Sequence, residues 1–227
     1  MAASDFSQEA ESKGFAWFLG VLGAFSVIGI VVLAGYWSIE PLSFNVVAEA
    51  KMTQEKNNIS ASSPDGYVYP DGYVFGNTLV RIAETLLYKQ GGYLTNDVGV
   101  PGVLLDNIPA WEYGALIMLR DGASALRNHL ARAQSQSAED PDLAKAEPYF
   151  YYERNSWALP STEAEYEKGI VALHSYMRRL VDPTDKNPGH FYSRADNLWQ
   201  YVEIIIKRLG GISTRLSAST DRYEAYD

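Results

Sequence analysis

The chain has 227 residues, contains no cysteine and carries 19 basic against 28 acidic residues, a formal net charge of −9. This acidic balance argues against nucleic acid as a partner, because phosphate contacts need a basic surface. The absence of cysteine excludes a thiol nucleophile and lipoprotein processing.

Residues 14–37 are the one segment with the composition of a membrane span, and no charged residue occurs in residues 15–37. A helix of this length measures about 34 Å, which exceeds a hydrocarbon core of about 30 Å. Trp17 near one end and Tyr36 and Trp37 at the other are predicted to lie at the membrane interfaces. The apolar core is too long for a cleaved signal peptide, so the segment is predicted to be an uncleaved transmembrane anchor.

Topology is predicted from a single lysine. Lys13 is the only basic residue before Lys51, and the positive-inside rule therefore assigns residues 1–13 to a short, disordered cytoplasmic tail. The rest of the chain would then be periplasmic. We expect a single-pass protein of a bacterial inner membrane, with its N-terminus in the cytoplasm.

Small residues recur at four-residue spacing on one face of the predicted anchor, at Ala16, Gly20 and Ala24. Small faces allow close approach of a second transmembrane helix. They are predicted to contact either an integral membrane protein complex or a second copy of the chain, beside the lipid bilayer. Glycine and alanine are also common in membrane spans, which leaves this contact open.

An extended linker is predicted for residues 38–76. Residues 51–63 are polar and lack an apolar stripe, which is typical of a flexible segment. The sequence PDGYV then occurs twice, at 64–68 and 70–74, and each Pro-Asp-Gly favours a turn. These tandem turns would present Tyr67, Tyr69 and Tyr73 on a knob that docks either onto the chain's own domain, which is favoured, or onto a neighbouring protein.

Residues 77–220 are predicted to form a helical bundle domain. The first helix covers about 78–90 with Asn77 as its cap, and the second runs from a cap at Asn107 to about 134. Gly122 would weaken the second helix by about 1 kcal/mol, so close approach of a neighbouring helix is expected there.

A long connection, residues 135–160, separates these helices from two more. Thr162 and Glu165 are predicted to form the capping box of the third helix. The fourth helix covers about 191–217, and its apolar residues repeat like a coiled-coil seam. The fold is therefore predicted to be all-α, with a single N-terminal transmembrane helix followed by an up-and-down bundle of about four helices and a tail at 221–227. The predicted seam comprises Leu198, Val202, Ile205, Leu209, Ile212 and Leu216.

Several sequence runs resemble one bacterial family. They are GNTLVRIAETLL at 76–87, GGYLTNDVGVPGVLLDNIPAWEYG at 91–114 and SQSAEDPDLAKAEPYF at 135–150. The chain is similar over most of residues 35–220 to domain-of-unknown-function family 2333. This resemblance implies a proteobacterial inner-membrane protein with one span and a helical external domain, and it brings no activity with it.

Catalytic motifs are absent from the sequence. It has no glycine-rich phosphate loop, no GxSxG and no HExxH. The three histidines, His129, His174 and His190, lack metal-ligand spacing, so no metal and no cofactor is predicted. The best carboxylate cluster is Asp97, Asp106 and Glu112, which a glycoside hydrolase would need to place about 5 to 9 Å apart in a cleft. Helix capping and the helix dipole are the simpler uses of Asp106 and Glu112.

The sequence thus favours a non-enzymatic accessory or scaffold subunit of a larger membrane protein complex. A carboxylate-based envelope hydrolase and a periplasmic ligand-sensing bundle, which would need an apolar cavity, stay open as alternatives. In the favoured hypothesis an aromatic segment of the long connection contacts a partner outside the membrane. The predicted contact residues are Tyr149, Tyr151, Tyr152 and Trp157.

Overall fold

A computed structural model of the chain describes residues 2–56, 69–133, 137–182 and 184–224, with side chains between 17 and 219. The described residues form helices and no strands, which confirms the all-α prediction. An up-and-down bundle of four helices is not confirmed: α3, α4, α5 and α6 pack around the core, while α2 packs on α3 and α7 on α4. The helices are α1 (Ala2–Trp37), α2 (Val46–Lys56), α3 (Tyr73–Tyr88), α4 (Asn107–Ala125), α5 (Leu143–Phe150), α6 (Thr162–Val181) and α7 (Ala195–Glu224).

Helix α1 contains the apolar segment. Its stretch Trp17–Trp37 has a mean hydropathy of 2.4, and none of it is buried in the protein. By length and composition it is long and apolar enough to cross a membrane. The helix begins at Ala2, so the prediction of a disordered tail is wrong for the backbone. Because extending an existing helix needs no new nucleus, helix formation in this short polar segment costs little free energy.

The core lies where the apolar faces of α3, α4, α5 and α6 meet. Leu116, Phe150 and Leu173 are fully buried there. A β-carbon added to Gly122 would lie 2.5 Å from the Leu79 side chain of α3. The predicted close approach at Gly122 is therefore confirmed.

The predicted extended linker contains a helix instead. Asn45 Oδ1 accepts from the amides of Val47 and Ala48, at 3.1 and 3.0 Å, and so starts α2. This helix buries Ala50 and Gln54, which explains how a polar segment without an apolar stripe still packs against α3. Residues 57–68, which include the first PDGYV copy and Tyr67, lie outside the described residues.

The second PDGYV copy docks onto its own domain, as predicted. Gly72 adopts a positive φ of 80° and precedes α3. Tyr73 is buried in the core, and Ser193 Oγ donates to the carboxylate of Asp71. Helix α3 thus begins earlier than the sequence predicts, and Asn77 lies inside it rather than capping it.

Three other boundaries differ from prediction. Ser161, not Thr162, caps α6, with Oγ accepting from the amide of Ala164 at 3.3 Å. The Thr162 hydroxyl instead donates to the Glu153 carbonyl at 2.8 Å. Asn107 is the first residue of α4, not its cap. The long connection also contains the two-turn helix α5, because Asp140 Oδ1 accepts from amides at that helix start.

Candidate functional site

The carboxylate of Glu112 is fully buried in the first turns of α4. It accepts hydrogen bonds from the amides of Leu94 and Thr95, both at 2.8 Å, and from the Thr95 hydroxyl. Lys89 Nζ, almost completely buried, forms an ion pair with it. Burial lowers the pKa of Lys89, and the Glu112 charge opposes that shift. Glu112 therefore holds the loop after α3 against α4, and its lone pairs are used in doing so.

The other two carboxylates of the predicted cluster have different surroundings. Burial first, and the charges of Glu163 and Glu112 second, raise the pKa of Asp97. Asp106 is exposed at the N-cap of α4 and makes no side-chain capping bond there. The charge of Glu112 thus acts on Asp97, while Glu112 itself is already paired with Lys89.

The histidines lie apart. His174 Nε2 is 3.0 Å from Glu84 Oε1 at the exposed contact between α6 and α3. The carbonyl of His190 accepts from the Tyr176 hydroxyl at 2.8 Å. Across the residues with described side chains, no three histidine or acidic groups are arranged to hold a metal ion.

The predicted aromatic contact residues have different surroundings. Tyr149 lies below Lys168 Nζ and Tyr151 below the Arg120 guanidinium, at 5.7 and 5.2 Å from their ring centroids. Tyr152 packs against the core. Trp157 is two-thirds exposed.

Helix α7 has an inner face that packs on the domain and an outer face that is exposed. The predicted apolar seam lies on the outer face. Its inner face holds the buried Asn197 and the half-buried Tyr201 and Ile204. On the same side the Arg208 guanidinium donates to both carboxylate oxygens of the buried Asp121 of α4, one of them at 2.6 Å. Positions 197, 201, 204 and 208 share one side of the helix, and this stripe is visible in the sequence. It is the pattern that would have indicated the face of α7 that packs on the domain.

The predicted seam of α7, residues Leu198 to Leu216 as given above, does not line a bundle core. Leu198, Leu209 and Ile212 are half exposed or more, and Ile205 is half-buried. At about 100° per residue, the centre of the seam is turned roughly a quarter of a circle away from the inner face. One helix therefore packs onto its own domain through a mixed stripe and presents a heptad repeat to solvent.

Two further predicted features lie at the surface. Gly20 and Ala24 are exposed on α1, and a β-carbon at Gly20 would meet nothing within 4 Å; the side chain of Ala16 lies outside the described residues. An open apolar groove of about 670 Å³ runs between α3 and the start of α7, lined in part by Phe75 and Leu198.

These features define an all-helical protein with one N-terminal helix able to span a membrane and a packed helical domain. The chain belongs to the bacterial family known as domain-of-unknown-function 2333, described as an uncharacterized protein conserved in bacteria, whose model matches residues 10–226. The family expected from the sequence is therefore confirmed. No curated protein and no solved structure matches the chain significantly.

Proposed function

We propose that this protein is a non-enzymatic accessory or scaffold subunit of a larger membrane protein complex. The apolar part of α1 would span the bacterial inner membrane once, with the N-terminus in the cytoplasm and the helical domain in the periplasm. The observation that carries the proposal is the exposed heptad repeat of α7. A partner helix would pack along it, in the knobs-into-holes manner of coiled coils.

The size of this surface supports a protein partner. Trp199 and Ile206 beside the seam extend the exposed apolar side chains of α7, and an extended exposed apolar surface marks a protein interaction site. Their exposed fractions lie between 37% and 67%. Leaving such an area in water is costly, which favours a permanent rather than an occasional partner.

The surroundings of the predicted carboxylate cluster support a non-enzymatic role. A hydrolase needs one carboxyl group as acid and another as nucleophile or base, both open to substrate. Glu112 is inaccessible and held by backbone amides and Lys89. Its partners are the ones that a structural clamp between a loop and a helix requires.

The proposal is tested by purifying the full chain from native membranes in mild detergent and identifying co-migrating proteins by mass. We expect a stoichiometric membrane protein partner. The double variant Leu209→Asp/Ile212→Asp should lose it, because two charges would be buried in the contact. Thr214→Asp on the exposed polar side of α7 is the matched control and should retain the partner. Migration of the unaltered chain as a lone monomer would refute the proposal.

Copies of the chain with two different tags, expressed together, identify the kind of partner. Capture of the second tag through the first would assign the seam to a second copy. Capture of a different protein alone would assign it to a hetero-complex. In either case the Asp variants should abolish capture.

A further inference from the structure

The domain is attached directly to the end of the apolar helix, without a free stalk. The Trp37 indole packs so closely on Gly91 that an added β-carbon there would lie 2.9 Å from its ring. Asn107 Nδ2 donates to the Ser38 carbonyl at 2.9 Å. The loop after α3 and the first residue of α4 therefore lie at the level where α1 would leave the membrane.

A second loop is held at the same end. Asn96 Nδ2 donates to the Ser156 carbonyl at 2.8 Å, and the Tyr93 hydroxyl donates to the Arg154 carbonyl at 3.1 Å. The Tyr88 hydroxyl, at the end of α3, donates to Glu167 near the start of α6. The loop that precedes α6 thus lies beside the loop that precedes α4.

Both loops expose apolar side chains at this end, which we call the apolar rim. Leu104 is 71% exposed, Trp157 is 66% exposed and Leu159 is fully exposed. The first loop includes a single 3₁₀ turn at Gly102–Leu104. The rim consists of Val98, Val100, Val103, Leu104, Trp157 and Leu159.

We propose that the apolar rim inserts into the lipid leaflet from which α1 emerges. The proposal rests on α1 spanning the membrane, as in the proposed function. Lipid is the occupant favoured by the position of the rim: Leu104 is three residues from Asn107, which contacts the end of α1. The interfacial zone is about 5 to 8 Å thick on each side of the hydrocarbon core, within reach of such a loop.

The chemistry of the rim matches this zone. Aliphatic side chains gain free energy on leaving water, and a tryptophan favours the headgroup region. The rim itself is uncharged, so its insertion would not depend on attraction to anionic lipid, which the net charge of −9 opposes. An inserted rim would fix the orientation of the helical domain relative to α1. It would thereby restrict the directions in which the seam of α7 can face a partner.

The absence of cysteine allows a direct test with the full chain in phosphatidylcholine vesicles. Leu104→Cys and Leu159→Cys, each carrying an environment-sensitive fluorophore, report the rim. Lys186→Cys, exposed just beyond the other end of α6, is the matched control, and Val27→Cys reports the span. Vesicles with brominated acyl chains should reduce emission about twofold at both rim positions, because groups inserted about 5–10 Å lie near the bromines. Lys186→Cys should be unaffected.

The outcomes separate this proposal from the proposed function. Quenching at Val27→Cys without quenching at the rim would overturn the rim's insertion and leave the span intact. Absence of quenching at Val27→Cys as well would overturn the membrane anchor itself. Equal quenching at Lys186→Cys would also overturn the proposal, since the domain would then contact lipid without using the rim. Protection of the rim by a co-purified protein, with no quenching by lipid, would assign the rim to that protein instead.

Discussion

Replacing Glu112 by glutamine tests whether the buried ion pair with Lys89 is what holds the loop after α3. Glutamine keeps the shape but removes the charge that neutralises Lys89. In the native protein one carboxylate oxygen accepts from the amide of Leu94 and the other from the amide of Thr95. Glutamine replaces one of these oxygens by an NH₂ group, which cannot accept a hydrogen bond from a backbone amide. The variant therefore leaves the buried Lys89 ammonium, which still donates to the carbonyls of Leu86 and Gly92, without a counter-charge, and leaves at least one backbone amide without an acceptor.

The magnitude follows from the burial of both partners, whose side chains are 5% and 0% exposed. Breaking such a pair by removing one charge costs about 3–5 kcal/mol. That is a large part of a typical stability of about 5–15 kcal/mol. For a domain of this size we expect the melting temperature to fall by about 10 °C.

The assay is urea unfolding of the full chain in mild detergent, followed by near-ultraviolet circular dichroism, which reports tyrosine packing in the core. Glu203→Gln is the matched control, because Glu203 pairs with Lys207 at 2.8 Å on an exposed face. The control should change the free energy of unfolding by less than about 0.5 kcal/mol.

A double-mutant cycle with Lys89→Met provides the refutation. Removing both charges should recover part of the loss, with a coupling energy of about 1–3 kcal/mol. If Glu112→Gln matched its control, or if the two substitutions were strictly additive, the ion pair would not be the source of the stability.

Three further results are expected. Arg208→Ala should destabilise the protein by about 2 kcal/mol and make α7 the first site of limited proteolysis, because Asp121 would stay buried without its partner. Asp97→Asn should raise the melting temperature at pH 7. Burial raises the pKa of Asp97, so the native protein loses stability as pH rises above 3.8. The difference in melting temperature between the variant and the unaltered protein should vanish in more acidic buffer. A hydrogen bond to His174 lowers the pKa of Glu84, so the native protein loses stability as pH falls below 4.5. His174→Ala should reduce this loss, measured by melting curves across pH. For this exposed pair the change should be less than about 1 kcal/mol.

The sequence alone determined the helical class and the apolar helix, because both depend on local properties. The uncharged stretch 15–37 is apolar whatever surrounds it, and apolar residues at helical spacing define α3, α4 and α6. The end of α3 was also readable: the first soluble helix is predicted to end at about residue 90, and Gly91 and Gly92 adopt positive φ just after it. The likeness to one bacterial family was readable in the same way, from contiguous runs of residues.

Tertiary structure decided which apolar faces the chain covers itself. Periodicity identifies a stripe but contains no information on what packs against it, so the seam of α7 was predicted to belong to a bundle although the stripe containing Arg208 is the one that contacts α4. Helix α2 formed without a stripe, because two buried side chains against α3 were sufficient. The clamp at Glu112 and the apolar rim likewise depend on loops that meet only in the folded protein. Residues close in space but far apart in sequence leave no periodic signal in a single chain.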